Sequence, residues 1–450
     1  MKRHSFQYDK RSVVLCAYRF IGCILAVVFA ACLLTPDVAK ATGLRGMAVV
    51  NTSSLNIRAS ASSTARVVKT LSRGDVVKVA SDAGPWCNVV TSGGQSGWCQ
   101  SAYLANYPGS AAPSNTAKLD WPSEDISLSA SFTVTQCMKD MDEIVARFPG
   151  KARLETIGLS LMGNPIKAIV IGNPDAKVRI MVQAAMHARE WLTALLALRH
   201  AETTLKAAEL GATYKGTSIR KMLEQMEIWI IPEANPDGVR LCMEGLASVP
   251  ASMPELKSSL LSMNGGSTSF IRWKANGRGV DLNRNFDAGW RVDPNYRKPG
   301  PYYYGGPRAF SEPESIALRD LTNAKDFALT VSYHSSGEVL YWYNHTGAGN
   351  KAGRYIAEQI RAANGYTVLS PSSQAPGGGY RDWFAQEYGR PGFTLEMGSG
   401  YCPLPQGNFY EYWQDNRFVL YELMWAAMPR NLATYPRVNY PRVTYKTTWR

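Results

Sequence analysis

The stretch VRIMVQAAMHAREW, residues 178–191, decides the fold. A mostly apolar run stops on His187, Arg189 and Glu190, so a strand-like run hands the chain directly to an imidazole and two charged side chains. Strands with little polar alternation are strands covered on both faces. Four more runs share that character: IKAIVIG, EIWIIPEA, FALTVSYH and GFTLEM. Between them CMKDMDEIVARFP and EWLTALLALRHAETTLKAAEL repeat apolar residues at three and four, as amphipathic helices do. The alternation predicts an α/β domain with a mixed, largely parallel sheet covered by helices on both faces.

In such sheets ligands bind beyond the carboxyl ends of the strands. Those ends deliver His187 and Glu190, the NPDG segment from Asn235 to Gly238, His334, and Glu396. Alone, a His-x-x-Glu pair reads as a capping or surface arrangement, and His334 alone as a hydrogen-bonded core histidine. Jointly they are two imidazoles and two carboxylates on one edge. Catalytic zinc takes three protein ligands and an open position, and two His with one Glu is a known set. His187, Glu190 and His334 can supply it, leaving Glu396 as a carboxylate free to move a proton. Asp281 would suit the outer N–H of a ligating histidine. In GRGVDLNRNFDAGW, residues 277–290, Asn283 and Arg284 offer an amide and a guanidinium fork for a substrate carboxylate, or Arg284 pairs structurally with Asp281 or Asp287. His200 and His345 read as helix surface and loop.

The first forty-one residues differ from the rest. Lys2, Arg3, Lys10, Arg11 and Arg19 precede IGCILAVVFAACLLTP and the small-residue pattern Ala39, Lys40, Ala41. That predicts a secretory signal peptide over 1–41, with a retained anchor as the alternative. From a formal +13, removing the six Lys/Arg and two Asp of this segment leaves +9. A basic exported chain suits an anionic partner such as cell wall, and no arginine-rich helix or finger spacing argues for nucleic acid. Of eight cysteines, Cys87, Cys99, Cys137, Cys242 and Cys402 lie outside the signal; the odd number leaves at least one thiol.

Residues 42–105 break into short Val-rich runs between turn residues, the pattern of a small β-barrel. Their LNIRASAS opening, L-x-x-G-D-x-V middle and SGWCQSAYL close resemble a bacterial SH3-like domain. The resemblance implies a module of the kind that binds cell-wall peptides. Cys87 and Cys99 fall in neighbouring strands of it, where a disulfide is an expectation. Residues 106–120 have linker composition, 121–430 form the α/β domain, and 431–450 are a tail.

HAREW, NPDG, GVDLNRNF, YHSSG and GFTLEMG, in that order, resemble the zinc carboxypeptidase family of funnelin type. The resemblance implies one zinc on His187, Glu190 and His334, Glu396 as general base, Arg189 against substrate, and Asn283 with Arg284 on a substrate carboxylate. Two positions depart from the family. Its oxyanion-stabilising arginine follows a tryptophan, and here Lys274 follows Trp273, which turns the expectation to Arg278 or Arg272. Its substrate-covering tyrosine aligns with Gln374, with Tyr380 as the expected substitute. The position that sets side-chain preference is Arg381, which favours an acidic group over a basic one. WKANGRGVDLNRNF, YHSSGEVLYW and GGGYRDWF are more similar still to bacterial γ-D-glutamyl-diaminopimelate peptidases. The resemblance implies an exported peptidase on peptidoglycan peptides; a general carboxypeptidase and a catalytically silent wall-binding protein are the competing readings.

Overall fold

A computed structural model describes residues 46–82, 85–91, 95–106, 132–344, 346–348, 351–371 and 377–428. The expected signal peptide, the linker beyond residue 106, the tail, His345 and Gln374 lie outside the described residues. The chain divides into two compact units, residues 1–114 and 115–450. No helix among the described residues is long and apolar enough to cross a membrane.

The smaller unit is a seven-stranded antiparallel sheet. Its strands are β1 (Gly46–Val50), β2 (Ser54–Arg58), β3 (Val67–Ser72), β4 (Val76–Asp82), β5 (Trp86–Thr91), β6 (Ser96–Gln100) and β7 (Leu104–Asn106), in the order β3-β2-β6-β5-β4-β1-β7. Alternate residues turn inward: Leu55 and Ile57 from β2, Cys87 and Val89 from β5. Cys87 and Cys99, where a disulfide is expected, stand directly opposite each other across β5 and β6 and are fully buried.

The larger unit is an eight-stranded sheet built from β8 (Ala152–Leu159), β9 (Pro165–Gly172), β10 (Val178–Gln183), β13 (Met226–Ile231), β14 (Leu329–His334), β15 (Val339–Tyr341), β16 (Thr367–Val368) and β17 (Gly392–Glu396), with a separate hairpin of β11 (Thr213–Tyr214) and β12 (Thr217–Ser218). The order is β16-β15-β17-β14-β10-β13-β9-β8. β13, β10, β14 and β17 run parallel, while on one side β9 is antiparallel to β13 and β8 to β9, and on the other β15 is antiparallel to β17. β13 and β14 are buried at every residue, as continuous apolar runs require. On β10, Ile180 and Val182 enter one core and Met181 the other, so both faces are covered. Helices α1 (Val134–Arg147), α2 (Leu192–Glu209), α3 (Ile219–Gln225), α4 (Pro236–Glu244), α5 (Pro254–Met263), α7 (Lys351–Asn364), α9 (Phe409–Asn416) and α10 (Val419–Ala427) contribute to the first core; α6 (Pro313–Lys325) and α8 (Tyr380–Tyr388) contribute to the second.

The parallel strands bring the charged residues to one edge. Glu396 closes β17 in register with His334, which closes β14, and β14 lies beside β10. Beyond β10 the chain turns through Ala185, whose φ of 46° lies in the left-handed region. The Ala185 N–H donates to Thr193 Oγ1 (2.9 Å), whose hydroxyl donates to the Glu190 carbonyl (2.7 Å). This lock starts α2 and fixes the His187–Glu190 turn over the end of the sheet.

Candidate metal centre

His187, Glu190 and His334 are buried, and one ligand atom from each lies within 4.8 Å of the others. Glu190 Oε1 is 2.9 Å from His187 Nδ1, and its Oε2 is 3.0 Å from His334 Nδ1. The two Nδ1 atoms are themselves 3.0 Å apart. Nitrogens facing each other across that gap cannot both donate, and His334 Nε2 is buried with no hydrogen-bond partner. A cation among the three donors resolves the arrangement, and the N, O, N set fits zinc. Behind it, His187 Nε2 is 3.1 Å from Asp281 Oδ1, the outer carboxylate that fixes a ligating imidazole. Burial alone would raise the Glu190 carboxyl; the charges of His187 and then His334 more than offset it, and Glu190 sits below the usual carboxylate range. Asp281 is likewise held well below its ordinary value, burial being outweighed by Lys274, His187 and Arg284.

Glu396 is not among the ligands. Burial and the Glu190 charge push its carboxyl up to about 7, against the pull of His334, Lys274 and Arg381. A carboxyl poised near neutrality beside a metal site is what a general base requires.

Residues 137–419, more than half of the chain, match the family model described as zinc carboxypeptidase, and residues 53–105 match the bacterial SH3 domain. The chain belongs to the zinc carboxypeptidase family. It is therefore a zinc metallopeptidase, a hydrolase acting on peptides. Over 288 residues, covering 63% of this chain and 70% of that protein, it is 35% identical to gamma-D-glutamyl-L-diamino acid endopeptidase 1 of Lysinibacillus sphaericus. Human carboxypeptidase O is 24% identical over 294 residues, 62% of this chain and 73% of its own length. The crystal structure of thrombin activatable fibrinolysis inhibitor superposes with a TM-score of 0.54 at 20% identity, covering 68% of this chain and 75% of that one, a likeness of fold.

The other residues expected for a zinc carboxypeptidase divide into those the structure gathers and those it does not. Arg284 reaches the centre from the loop behind Asp281, its Nε 3.8 Å from Asp281 Oδ2 and its guanidinium over the Tyr303 ring at 5.1 Å. Asn283 is close by, its Oδ1 accepting from the Tyr380 N–H (3.1 Å). Arg189 lies in the turn between two ligands, with its Nε buried and without a partner. Arg381 is 8% exposed, pairs with Asp382 at 2.5 Å, and lies over the rings of Tyr341 (5.1 Å) and Tyr343 (5.7 Å).

Three expectations are corrected. Tyr380 does not cover substrate: it is fully buried, its hydroxyl 2.9 Å from Thr322 Oγ1 and its ring packed on Phe286, Trp383 and Phe384. One residue earlier on α8 than Arg381, it turns into the second core while Arg381 turns to the site. Arg278 is no oxyanion group, since its side chain is 48% exposed and its guanidinium pairs with Glu312 at 3.7 Å; Arg272 is exposed too. His200 is not on a helix surface. It is buried against Tyr333, whose hydroxyl lies 2.9 Å from its Nε2, and Trp413, and burial pushes its pKa down to about 3.

Two contributors had no role assigned from the sequence, although Asn235 stands in the NPDG segment noted at a strand end. Asn235 caps α4, accepting from the Gly238 N–H (3.0 Å), while its Nδ2 donates to the carbonyls of Met186 (3.1 Å) and Ala275 (3.2 Å). It ties the ligand turn to the segment that carries Lys274. Tyr303, whose ring lies beneath Arg284, carries no motif; the only hint was its place in PYYYGG.

Proposed function

We propose that this protein is an exported peptidase that hydrolyses the amide between γ-D-glutamate and meso-diaminopimelate in peptidoglycan peptides. The observation that carries the reading is Arg381: a nearly buried guanidinium over two tyrosine rings, close enough to Glu396 for its charge to be felt there. A cation in that position favours a leaving-side residue with a carboxylate in its side chain and disfavours a basic one. Diaminopimelate has that extra carboxylate. The 35% identity to an enzyme named for γ-D-glutamyl-diamino acid bonds supports the same substrate class. The basic, apolar N-terminal segment and the bacterial SH3 module support export and association with the wall.

His187, Glu190 and His334 would hold the zinc, which when bound supplies a Lewis acid and lowers the pKa of a water from 15.7 to about 7. Glu396 takes a proton from the attacking water and returns it to the amine that leaves. Asp281 keeps the His187 ring oriented through Nε2. Asn283 and Arg284 receive the main-chain carboxylate of the leaving residue, and Arg381 its side-chain carboxylate. Arg189, on the ligand turn, faces the acyl part of the substrate.

Incubation with L-Ala-γ-D-Glu-meso-diaminopimelate and with ordinary peptides, read by mass, decides the substrate. Release of diaminopimelate supports the reading. Release of C-terminal amino acids from ordinary peptides alone would make the protein a general carboxypeptidase.

A further inference from the structure

We propose that Lys274 is a catalytic residue whose ammonium stabilises the negative charge that builds on the carbonyl oxygen of the scissile amide. The inference rests on the peptidase chemistry of the site, and not on the wall substrate. Lys274 Nζ lies 3.4 Å from Asp281 Oδ2, while Asp281 Oδ1 faces His187 Nε2 at 3.1 Å. One carboxylate thus spans the orienting contact of a metal ligand and this lysine. On the other flank, the Lys274 charge reaches Glu396. The ammonium therefore stands between the ligand side and the base side of the site, and its side chain is only 13% exposed.

Its backbone is bound to the same edge. The Lys274 carbonyl accepts from the Ala188 N–H (3.0 Å), next to His187, and its own N–H donates to the Pro301 carbonyl (2.9 Å). The side chain is aimed as well. Tyr303 lies under the ammonium at 5.0 Å, with the Arg284 guanidinium over the same ring at 5.1 Å. Tyr303 has a φ of 69°, strained for a tyrosine, and its N–H donates to Asp281 Oδ2 (3.2 Å). Asp281 and the ring hold the charge in place from two sides.

Of the two arginines expected from the sequence, Arg278 pairs with Glu312 and Arg272 is exposed. Arg284 and Arg381 are assigned to the carboxylates of the leaving residue and Arg189 to the acyl part, which leaves Lys274 for the carbonyl oxygen. Lysine brings a compact charge with three rotatable donors, which suits a single oxygen better than a planar carboxylate. In the step, the water oxygen bonds to the carbonyl carbon and the C=O π pair moves onto the oxygen facing Lys274. The proton of the water goes to Glu396. On collapse the π pair re-forms, the C–N bond breaks, and Glu396 returns the proton to the amine nitrogen. Electrostatic help of this kind, lost with one donor, costs about 10²–10³ in kcat.

The test uses the zinc-loaded full chain with Lys274→Met, Lys274→Arg, Tyr303→Phe and Tyr303→Leu. Rates are read on whichever wall or ordinary peptide the unaltered protein cleaves, so failure of the wall substrate does not touch this result. Affinity is also measured calorimetrically for a phosphonate dipeptide, a tetrahedral anion, and for an uncleaved D-peptide of the same length. Lys274→Met is expected to lower kcat about 10²–10³-fold with KM within about threefold, and to weaken the phosphonate by a similar factor while leaving the D-peptide and zinc content unchanged. Lys274→Arg should recover part of the loss, and Tyr303→Phe, which keeps the ring, should lose less than Tyr303→Leu. A Lys274→Met protein that keeps kcat within about threefold, that loses zinc, or that weakens both ligands equally would overturn the proposal.

Discussion

At the scale of single residues the centre is a set of charges held away from their ordinary values, and each has a measurable signature. Glu396 works as a base only when ionised. With its carboxyl pushed up toward about 7, kcat/KM should climb with pH along a limb above the ordinary carboxylate value of 4.5, a bound cation drawing the limb down from about 7. A Glu396→Gln protein should keep stoichiometric zinc and lose the limb with the activity, whereas His334→Ala should lose the metal; elemental analysis beside a pH profile separates them. Away from the site, Glu233 is buried near Cys137 and Arg240, and burial pushes it up to about 8 from 4.5. Because the unfolded chain releases that proton first, stability should fall as pH rises from about 4.5 to about 8. Glu233→Gln should match the parent in unfolding free energy from denaturant melts near pH 4.5 and exceed it by a few kcal/mol at pH 8. His187, Glu190, His334 and Glu396 were legible in the sequence because strand ends in an α/β sheet converge by topology. His200 was not, since a histidine in an amphipathic text carries no mark of which side meets a second helix.

At the scale of elements, the approach of α8 to the loop around Arg284 is backbone on backbone. Gly378 has a φ of +88°, and a Cβ there would lie 2.6 Å from the Arg284 carbonyl oxygen. The Phe286 N–H also donates to the Gly378 carbonyl (2.9 Å). Gly378→Ala should therefore destabilise by about 1–3 kcal/mol in denaturant melts, and raise KM more than it lowers kcat because it displaces Asn283 and Arg381 rather than Glu396. The phase of α8 is where sequence reading failed. GGGYRDWF announces a turn followed by a helix, but which of Tyr380 and Arg381 faces the site depends on how the glycines seat that helix, a tertiary contact. The segment 272–278 failed for a related reason: Arg272, Lys274 and Arg278 all offer a cation, and only the Ala188–Lys274 and Arg278–Glu312 contacts tell them apart.

At the scale of the whole molecule, the two units have separate cores and only the larger holds the ligand set. Calorimetry should resolve a transition that moves with zinc, by about 2.7 kcal/mol at a hundredfold excess over Kd, and one for the SH3-like unit that does not. A single transition shifting as a whole would contradict that independence. The α/β architecture and the SH3-like segment were both readable from periodicity and turn residues, because each unit's strands follow its own burial rule: continuous apolar runs in one, alternation in the other. The seating of β14 beside β10 has a consequence for how the protein matures. His187 and Glu190 are neighbours along the chain, whereas His334 arrives only when β14 docks, and Asp281 only when its loop closes behind them. The three-ligand site is therefore complete only once β14 has docked, and the rate at which the refolding chain takes metal from a coloured chelator should report that docking.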